Sequence, residues 1–246
     1  MTGAARFVSD VHLNPAAPAK SERFARFLEA TRREACALYV LGDLFDWWIG
    51  PRQRDLPDFA GTVAALARAA AAGSPVAFLP GNRDFLFPGG GAPDGVRLLG
   101  DRARVRIQGK ELLLTHGDLL CTADRRYQRW RRVARSSLLR AAARHAPAAL
   151  LRRAALALRA GRRREIARKS PSEMGITARG VRVAFAGGAD AVVCGHVHRQ
   201  EARPVPLGER TGWLYVLGAW EGGGAGGNAP YLELREGAFA FRTFEQ

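Results

Sequence analysis

Ala37-Leu38-Tyr39-Val40-Leu41-Gly42-Asp43-Leu44-Phe45-Asp46 is an apolar run that stops abruptly at a polar cluster. A strand covered on both faces reads this way, because both of its alternating side-chain sets must be apolar. Carboxylates set directly after such a run lie at the strand's carboxyl end, where layered α/β proteins place their ligand sites.

The same signal recurs along the chain. Arg6 to Ser9 runs into Asp10-Val11-His12, and Val76 to Leu79 into Pro80-Gly81-Asn82-Arg83-Asp84. Glu111 to Thr115 leads to His116-Gly117-Asp118, and Ala191 to Cys194 to Gly195-His196-Val197-His198. Between the early strands, Ser21 to Ala35 and Asp58 to Ala72 carry apolar residues at helical spacing. Further strands are expected over Trp213 to Leu217 and Tyr231 to Leu234, around the flexible glycine loop Gly222 to Gly227. Trp47 and Trp48 read as core.

From Arg125 to Arg182 the chain changes to Ala, Leu and Arg, with Pro147 and Gly161 as helix breaks, which predicts a helical insertion. With 246 residues, 47% of them hydrophobic, the chain suits one large α/β domain carrying that insertion. Cys36, Cys121 and Cys194 form no paired spacing, so no disulfide framework is expected. Neither a secretion signal nor an uncharged apolar run of about 18 residues is visible, which points to the cytoplasm.

The formal charge of +15 calls for an anionic partner. Residues 125 to 169 hold 16 Lys/Arg against the single acid Glu165, so the excess is local. Aromatic residues for base stacking are scarce there, with Tyr127 and Trp130 near the start and Phe185 after the end, so no nucleic-acid partner is expected. Leu/Ala alternating with Arg suits acyl chains and anionic headgroups, and thus peripheral binding to an anionic membrane surface.

Asp10 and His12, two apart at a strand end, are expected to project to one side and share an ion. Singly, each motif is as well read as a strand end, a cap or a turn. Together they weigh more, since four of the five histidines fall in these clusters. His145 is the exception and reads as insertion surface. Imidazole, carboxylate and one amide without thiolate suit Mn²⁺, Fe or Zn²⁺ in a catalytic site. Two ions about 3.5–4 Å apart can clamp the attacking and leaving oxygens of a displacement at phosphorus, which requires a bridging carboxylate.

The ordered blocks Asp-x-His, Gly-Asp-x-x-Asp, Gly-Asn-Arg-Asp, His and Gly-His-x-His resemble the calcineurin-like metallophosphoesterase superfamily. The resemblance implies an α/β fold, a four-layer α/β/β/α sandwich, with a binuclear centre. It implies that Asp10, His12 and His198 hold one metal, that Asn82, His116 and His196 hold the other, and that Asp43 bridges. A hydroxide between the ions would attack phosphorus, with the catalytic set Asp43, Asn82, Arg83 and His116 around it. Asp46 and Asp84 would orient these groups.

Longer stretches, Leu41 to Gly50, Gly81 to Leu86, His116 to Asp124 and Leu217 to Trp220, resemble one branch, the UDP-2,3-diacylglucosamine pyrophosphatases of lipid A biosynthesis. This implies a core at 1–124 and 183–246, with a helical cap at 125–182 sheltering the acyl chains of a UDP-sugar. The implied reaction is hydrolysis at the α-phosphorus to UMP and 2,3-diacylglucosamine 1-phosphate, with two divalent metal ions, expected to be Mn²⁺. Substrate contacts would be Asn82, Arg83, Asp124, Lys169 and His196, on the inner face of the cytoplasmic membrane. Arg162 and Ile166 depart from the polar cap residues of that branch. The competing readings are another phosphodiesterase of the superfamily and a non-catalytic module for anionic surfaces; complete ligand blocks speak against the latter. No oligomeric state follows from the sequence.

Overall fold

The computed structural model describes residues 3–34, 36–147, 150, 153, 174–222 and 227–245. Arg162, Ile166 and Lys169 lie outside the described residues, as does most of the glycine loop. Two sheets form the centre. The first has the order β11-β10-β1-β2-β3-β4, built from β1 (Ala5–Val8), β2 (Ala37–Val40), β3 (Val76–Phe78), β4 (Arg97–Leu98), β10 (Pro230–Arg235) and β11 (Ala238–Thr243). The second has the order β5-β6-β7-β9-β8, built from β5 (Arg102–Ile107), β6 (Lys110–Thr115), β7 (Ala191–Cys194), β8 (Glu201–Leu207) and β9 (Arg210–Val216). The strands bearing the polar clusters are parallel neighbours within each sheet: β1 beside β2 beside β3, and β6 beside β7.

Strand alternation divides the apolar residues among three interfaces. Val8, Leu38, Val40, Val76 and Phe78 face helices α1 (Pro18–Arg33) and α2 (Pro57–Ala71), packing on Phe24, Phe27, Phe59 and Leu66. Phe7, Tyr39 and Ala77 point the other way and meet Leu112, Leu114 and Val193 of the second sheet. Leu113, Val192, Cys194, Leu214 and Val216 line that sheet's outer face against Val181, Ala184 and Phe185. The last three lie on α5 (Ala178–Phe185), capped by Thr177, whose hydroxyl accepts from Gly180 N–H at 3.0 Å. The result is the α/β/β/α stack. Both α1 and α2 begin with proline, whose fixed φ and missing N–H suit the first turn.

Helix α3 (Arg125–Ala134) and helix α4 (Ser137–His145) open the insertion. Helix α5 spans the expected cap boundary between 182 and 183 and packs on the second sheet as the fourth layer. Strands β4, β5, β8 and β11 were not foreseen. In β5, Arg102, Arg104 and Arg106 occupy one alternating set and mask the apolar signal; in β8, Pro204 and Pro206 do, tolerable because β8 is an edge. Trp48 is buried in the first interface with Trp47 packed beside it, and all three cysteines are buried and free.

Candidate metal centre

The five polar clusters converge at the carboxyl ends of β1, β2, β3, β6 and β7. Beyond the strands, the loops after β1 and β2 stay zipped by backbone bonds: Asp10 N–H donates to Gly42 O at 3.1 Å, His12 N–H to Asp43 O at 3.0 Å and Leu13 N–H to Leu44 O at 2.8 Å. The loop after β7 joins them, with His196 N–H donating to Asp10 Oδ2 at 2.8 Å and Gly195 N–H to His116 O at 2.8 Å. Such close approach excludes side chains at two points. A Cβ on Gly81 would overlap the Asp43 carboxylate, and one on Gly195 would overlap Ser9 Oγ and the Asp10 carboxylate.

Asp10 and His12 are near each other for a reason other than strand alternation. The strand ends at Val8, and both residues have left-handed backbone, with φ of 55° and 53°. Asp43, His196 and His198 share this conformation at 52°, 75° and 57°. For non-glycine residues it costs about 1–2 kcal/mol each, and it concentrates where function over-determines the backbone. The two remaining described cases, Gln108 and Glu236, each precede a left-handed glycine in a tight hairpin.

The side chains form two overlapping groups, Asp10 with His12 and His198, and Asp10 with Asp43 and His116. In the first, His12 Nε2 lies 3.1 Å from His198 Nε2, and Asp10 Oδ1 lies 3.3 Å from the same His198 atom and 3.8 Å from His12 Nε2. In the second, Asp43 Oδ2 lies 3.7 Å from His116 Nε2, which is 3.1 Å from Asn82 Oδ1 and 3.3 Å from His196 Nδ1. All seven residues singled out as ligands thus stand in one connected set.

Two observations fit a cation here. Asp10 Oδ1 and His12 Nδ1 are buried without a hydrogen-bond partner, a costly state for polar atoms. Burial also favours the neutral form of two imidazoles: His12 is pushed down to about 2 by burial and then Arg83, and His196 down to about 4 by burial and then His116. Burial alone would raise Asp10, but the adjacent His198, His116 and His12 draw it below its usual range. Asp43 goes the other way, raised by burial despite His116.

Supporting residues fix these groups. Asp84 is fully buried and accepts backbone N–H bonds from Asp43 at 3.2 Å, Leu44 at 2.8 Å, Phe45 at 3.4 Å and Gly81 at 2.8 Å, tying the loops after β2 and β3 together. Burial and then the nearby Asp43 push its carboxyl up to about 7. His116 Nδ1 lies 2.9 Å from Leu41 O, which leaves Nε2 facing the cluster. Arg83 N–H donates to Asp43 Oδ1 at 2.8 Å, while its guanidinium pairs with Asp46 and reaches Asp43 Oδ2 at 3.5 Å. Asp124 caps α3, accepting Tyr127 N–H at 3.0 Å. His145 ends α4 and is exposed.

Sequence reasoning passed over Asp101, Arg131 and Arg135. The two arginines read as part of the basic insertion suited to anionic headgroups, yet both are buried, and Arg131 Nε donates to Asp118 Oδ2 at 2.7 Å. Arginine recurs at the same four-residue spacing elsewhere in the insertion, as at Arg125 and Arg129, so the sequence does not mark this pair.

Comparisons with known proteins agree with this geometry. The calcineurin-like phosphoesterase family model matches residues 6–200. A UDP-2,3-diacylglucosamine hydrolase of Xanthomonas campestris pv. campestris is 40% identical over 228 residues, covering 87% of this chain and 90% of the relative. The enzyme of the same name from Photorhabdus laumondii subsp. laumondii is 35% identical over 216 residues, with the same two coverages. An archaeal phosphodiesterase of known structure superposes with a TM-score of 0.50 at 11% identity, over 98% of this chain and 99% of its own, which supports the fold alone. With its ordered blocks, its two-sheet sandwich and a family match over most of its length, the chain belongs to the calcineurin-like phosphoesterases.

Proposed function

We infer that this protein hydrolyses the pyrophosphate of UDP-2,3-diacylglucosamine, giving UMP and 2,3-diacylglucosamine 1-phosphate. The observation that carries the reading is the 40% identity, over 87% of the chain, to a hydrolase named for that substrate. The convergent site supports it.

In this reading Asp10, His12 and His198 hold one divalent ion, Asn82, His116 and His196 hold a second, and Asp43 lies between. The mixed imidazole, carboxylate and amide set suits Mn²⁺, Fe or Zn²⁺, and Mn²⁺ is the ion we assign on the resemblance to this branch. Such ions supply Lewis acidity and make a water nucleophilic at neutral pH. The chain's own residues do the rest. The Asp43 carboxylate, fixed by Arg83 N–H and by the loops that Asp84 ties, keeps the two groups in register. Arg83, 35% exposed at its side chain and steered by Asp46, offers its remaining N–H donors to the phosphoryl oxygens, where charge builds during displacement. In the same reading Asn82 and His196 also contact the substrate phosphates, and Asp124 and Lys169 are further substrate contacts.

The cap, expected at 125–182 and here ending before α5, would shelter the acyl chains. Val133 and Leu138 are 65% and 81% exposed on α3 and α4, beside the exposed Arg129, Arg132 and Arg140. This apolar and basic face supports peripheral, salt-sensitive binding to the inner face of the cytoplasmic membrane. No helix among the described residues is long and apolar enough to cross a membrane.

The test is phosphorus NMR of the reaction with UDP-2,3-diacylglucosamine in detergent and Mn²⁺, chelated before acquisition, against an Asp43→Ala control. UMP and the lipid 1-phosphate are expected only with the intact protein. Cleavage confined to generic phosphodiesters would remove the substrate assignment and leave the metal centre standing.

A further inference from the structure

Helix α3 bears on the candidate centre at two points. At its start, the Tyr127 hydroxyl donates to Asp118 Oδ2, Arg131 Nε donates to the same oxygen at 2.7 Å, and Gln128 Nε2 donates to Asp118 O at 2.7 Å. Asp118 follows His116 by two residues. At its end, Arg135 Nη2 donates to Gly81 O at 2.6 Å and to Pro80 O at 3.3 Å, directly before Asn82. Asp101 holds both arginines in place: its Oδ1 pairs with Arg135 Nη1, and its Oδ2 with Arg131 Nη2 at 2.9 Å.

The loops carrying Asn82 and His116 therefore meet under one helix, and their side chains touch at 3.1 Å. Arg135 is the member with the least substitutable geometry. Its planar fork serves a carboxylate on one nitrogen and two backbone carbonyls on the other, which an ammonium on a flexible stem does not reproduce. Without it, the Pro80 and Gly81 carbonyls lose a charged donor in a buried place. The Asp10, His12 and His198 group is held differently, by the zipped loops after β1 and β2.

We propose that Arg135 is a positioning residue that fixes Asn82 against His116, so that the first helix of the insertion sets the affinity of one half of the metal centre. The proposal rests on the metal roles inferred above. It makes ion uptake asymmetric: loosening α3 weakens the ion held by Asn82, His116 and His196, and leaves the other ion's affinity unchanged.

The experiment is calorimetric titration of the metal-free full chain with Mn²⁺, for the wild type, Arg135→Ala, Arg135→Lys and Asp101→Asn. His198→Ala marks the step belonging to the other group. Arg135→Ala is expected to weaken one step by about ten- to a hundredfold, the usual effect of removing an outer hydrogen bond around a metal site, and to leave the step marked by His198→Ala within about twofold. Arg135→Lys and Asp101→Asn, which disturb packing less, should weaken the same step to a smaller degree. Guanidinium added at millimolar concentration should restore part of the affinity lost in Arg135→Ala and none in His198→Ala. Equal losses at both steps, or no change at either, overturn the proposal. A wild-type chain that takes up no pair of Mn²⁺ ions instead overturns the metal roles beneath it.

Discussion

Among the described residues, two unconnected places gather metal-capable side chains, and they differ in where their positive charge comes from. Around Asp10 the chain assembles carboxylates and imidazoles, and leaves Asp10 Oδ1 without a donor. Around Cys36, just before the amino end of β2 and so at the other end of that strand from Asp43, Glu34 and Glu233 meet Arg6 and Arg235. Arg6 reaches Glu34 at 2.5 Å and Glu233 at 3.3 Å, and Arg235 reaches them at 3.0 and 3.2 Å. The second cluster is complete with its own arginines. The first leaves Asp10 Oδ1 and His12 Nδ1 buried without hydrogen-bond partners, as the proposed metal roles would require, and five of its residues have left-handed backbone.

Activity should break at one of these clusters only. Asp43→Ala is expected to lower kcat by about a thousandfold or more, since it removes the group between the two halves. Glu233→Gln should leave kcat within about twofold. Equal losses, read from initial rates of UMP release at saturating Mn²⁺, would mean that the centre has been placed wrongly. Stability should separate the clusters in the same way. Free Mn²⁺ at about a hundred times its Kd should stabilise the wild type by about 2.7 kcal/mol per site. The gain should persist in Glu233→Gln and largely vanish in Asp43→Ala, as measured by denaturant unfolding with and without chelator.

What the sequence revealed follows from how rare its signals are. Histidine is scarce in this chain and buried strands are nearly all apolar, so ligand blocks at strand ends stood out and carried the layered fold with them. The strain did not stand out. Asp-x-His looks the same whether the backbone is extended or left-handed, and alternation brought Asp10 and His12 together on wrong local geometry. Arg131 and Arg135 were hidden by their surroundings. A residue type that abounds from 125 to 169 cannot announce which members turn inward, because the partners Asp101, Asp118 and the Gly81 carbonyl are brought near only by the fold. The same masking hid β5 and β8, where arginine or proline fills one alternating set.

The close approach of the loops sharpens the comparison further. Gly195→Ala places a methyl against Ser9 and the Asp10 carboxylate, both buried and neither able to withdraw far. Overpacking of this kind should cost about 2 kcal/mol and weaken Mn²⁺ binding, because the Asp10 oxygen that is crowded also accepts His196 N–H. Gly73→Ala supplies the control. Its added Cβ meets nothing within 4 Å, while its φ of +85° still carries the left-handed penalty. A loss in Gly195→Ala no larger than that in Gly73→Ala, with Mn²⁺ affinity unchanged, would show that the loops are slack and that packing does not hold the centre in place.

The smallest effect belongs to the self-neutralised cluster. Burial would raise the Glu233 carboxyl, but hydrogen bonds and charges from Arg235 and Arg6 outweigh it and hold it below its ordinary value. A carboxyl lowered in the folded state contributes stability that is fully present above its unfolded pKa and is lost as the pH falls through the folded one. Glu233→Gln keeps hydrogen-bonding capacity and loses the charge, so it should cost about 1 kcal/mol at pH 7, and the difference from wild type should shrink as the pH drops below about 4.3, the unfolded glutamate value. Denaturant unfolding at a series of pH values from 7 to about 3 measures it. A gap that stays constant across that range would mean that Glu233 acts through its shape and not its charge, and the contrast between a cluster that supplies its own cations and one that borrows them would lose its electrostatic basis.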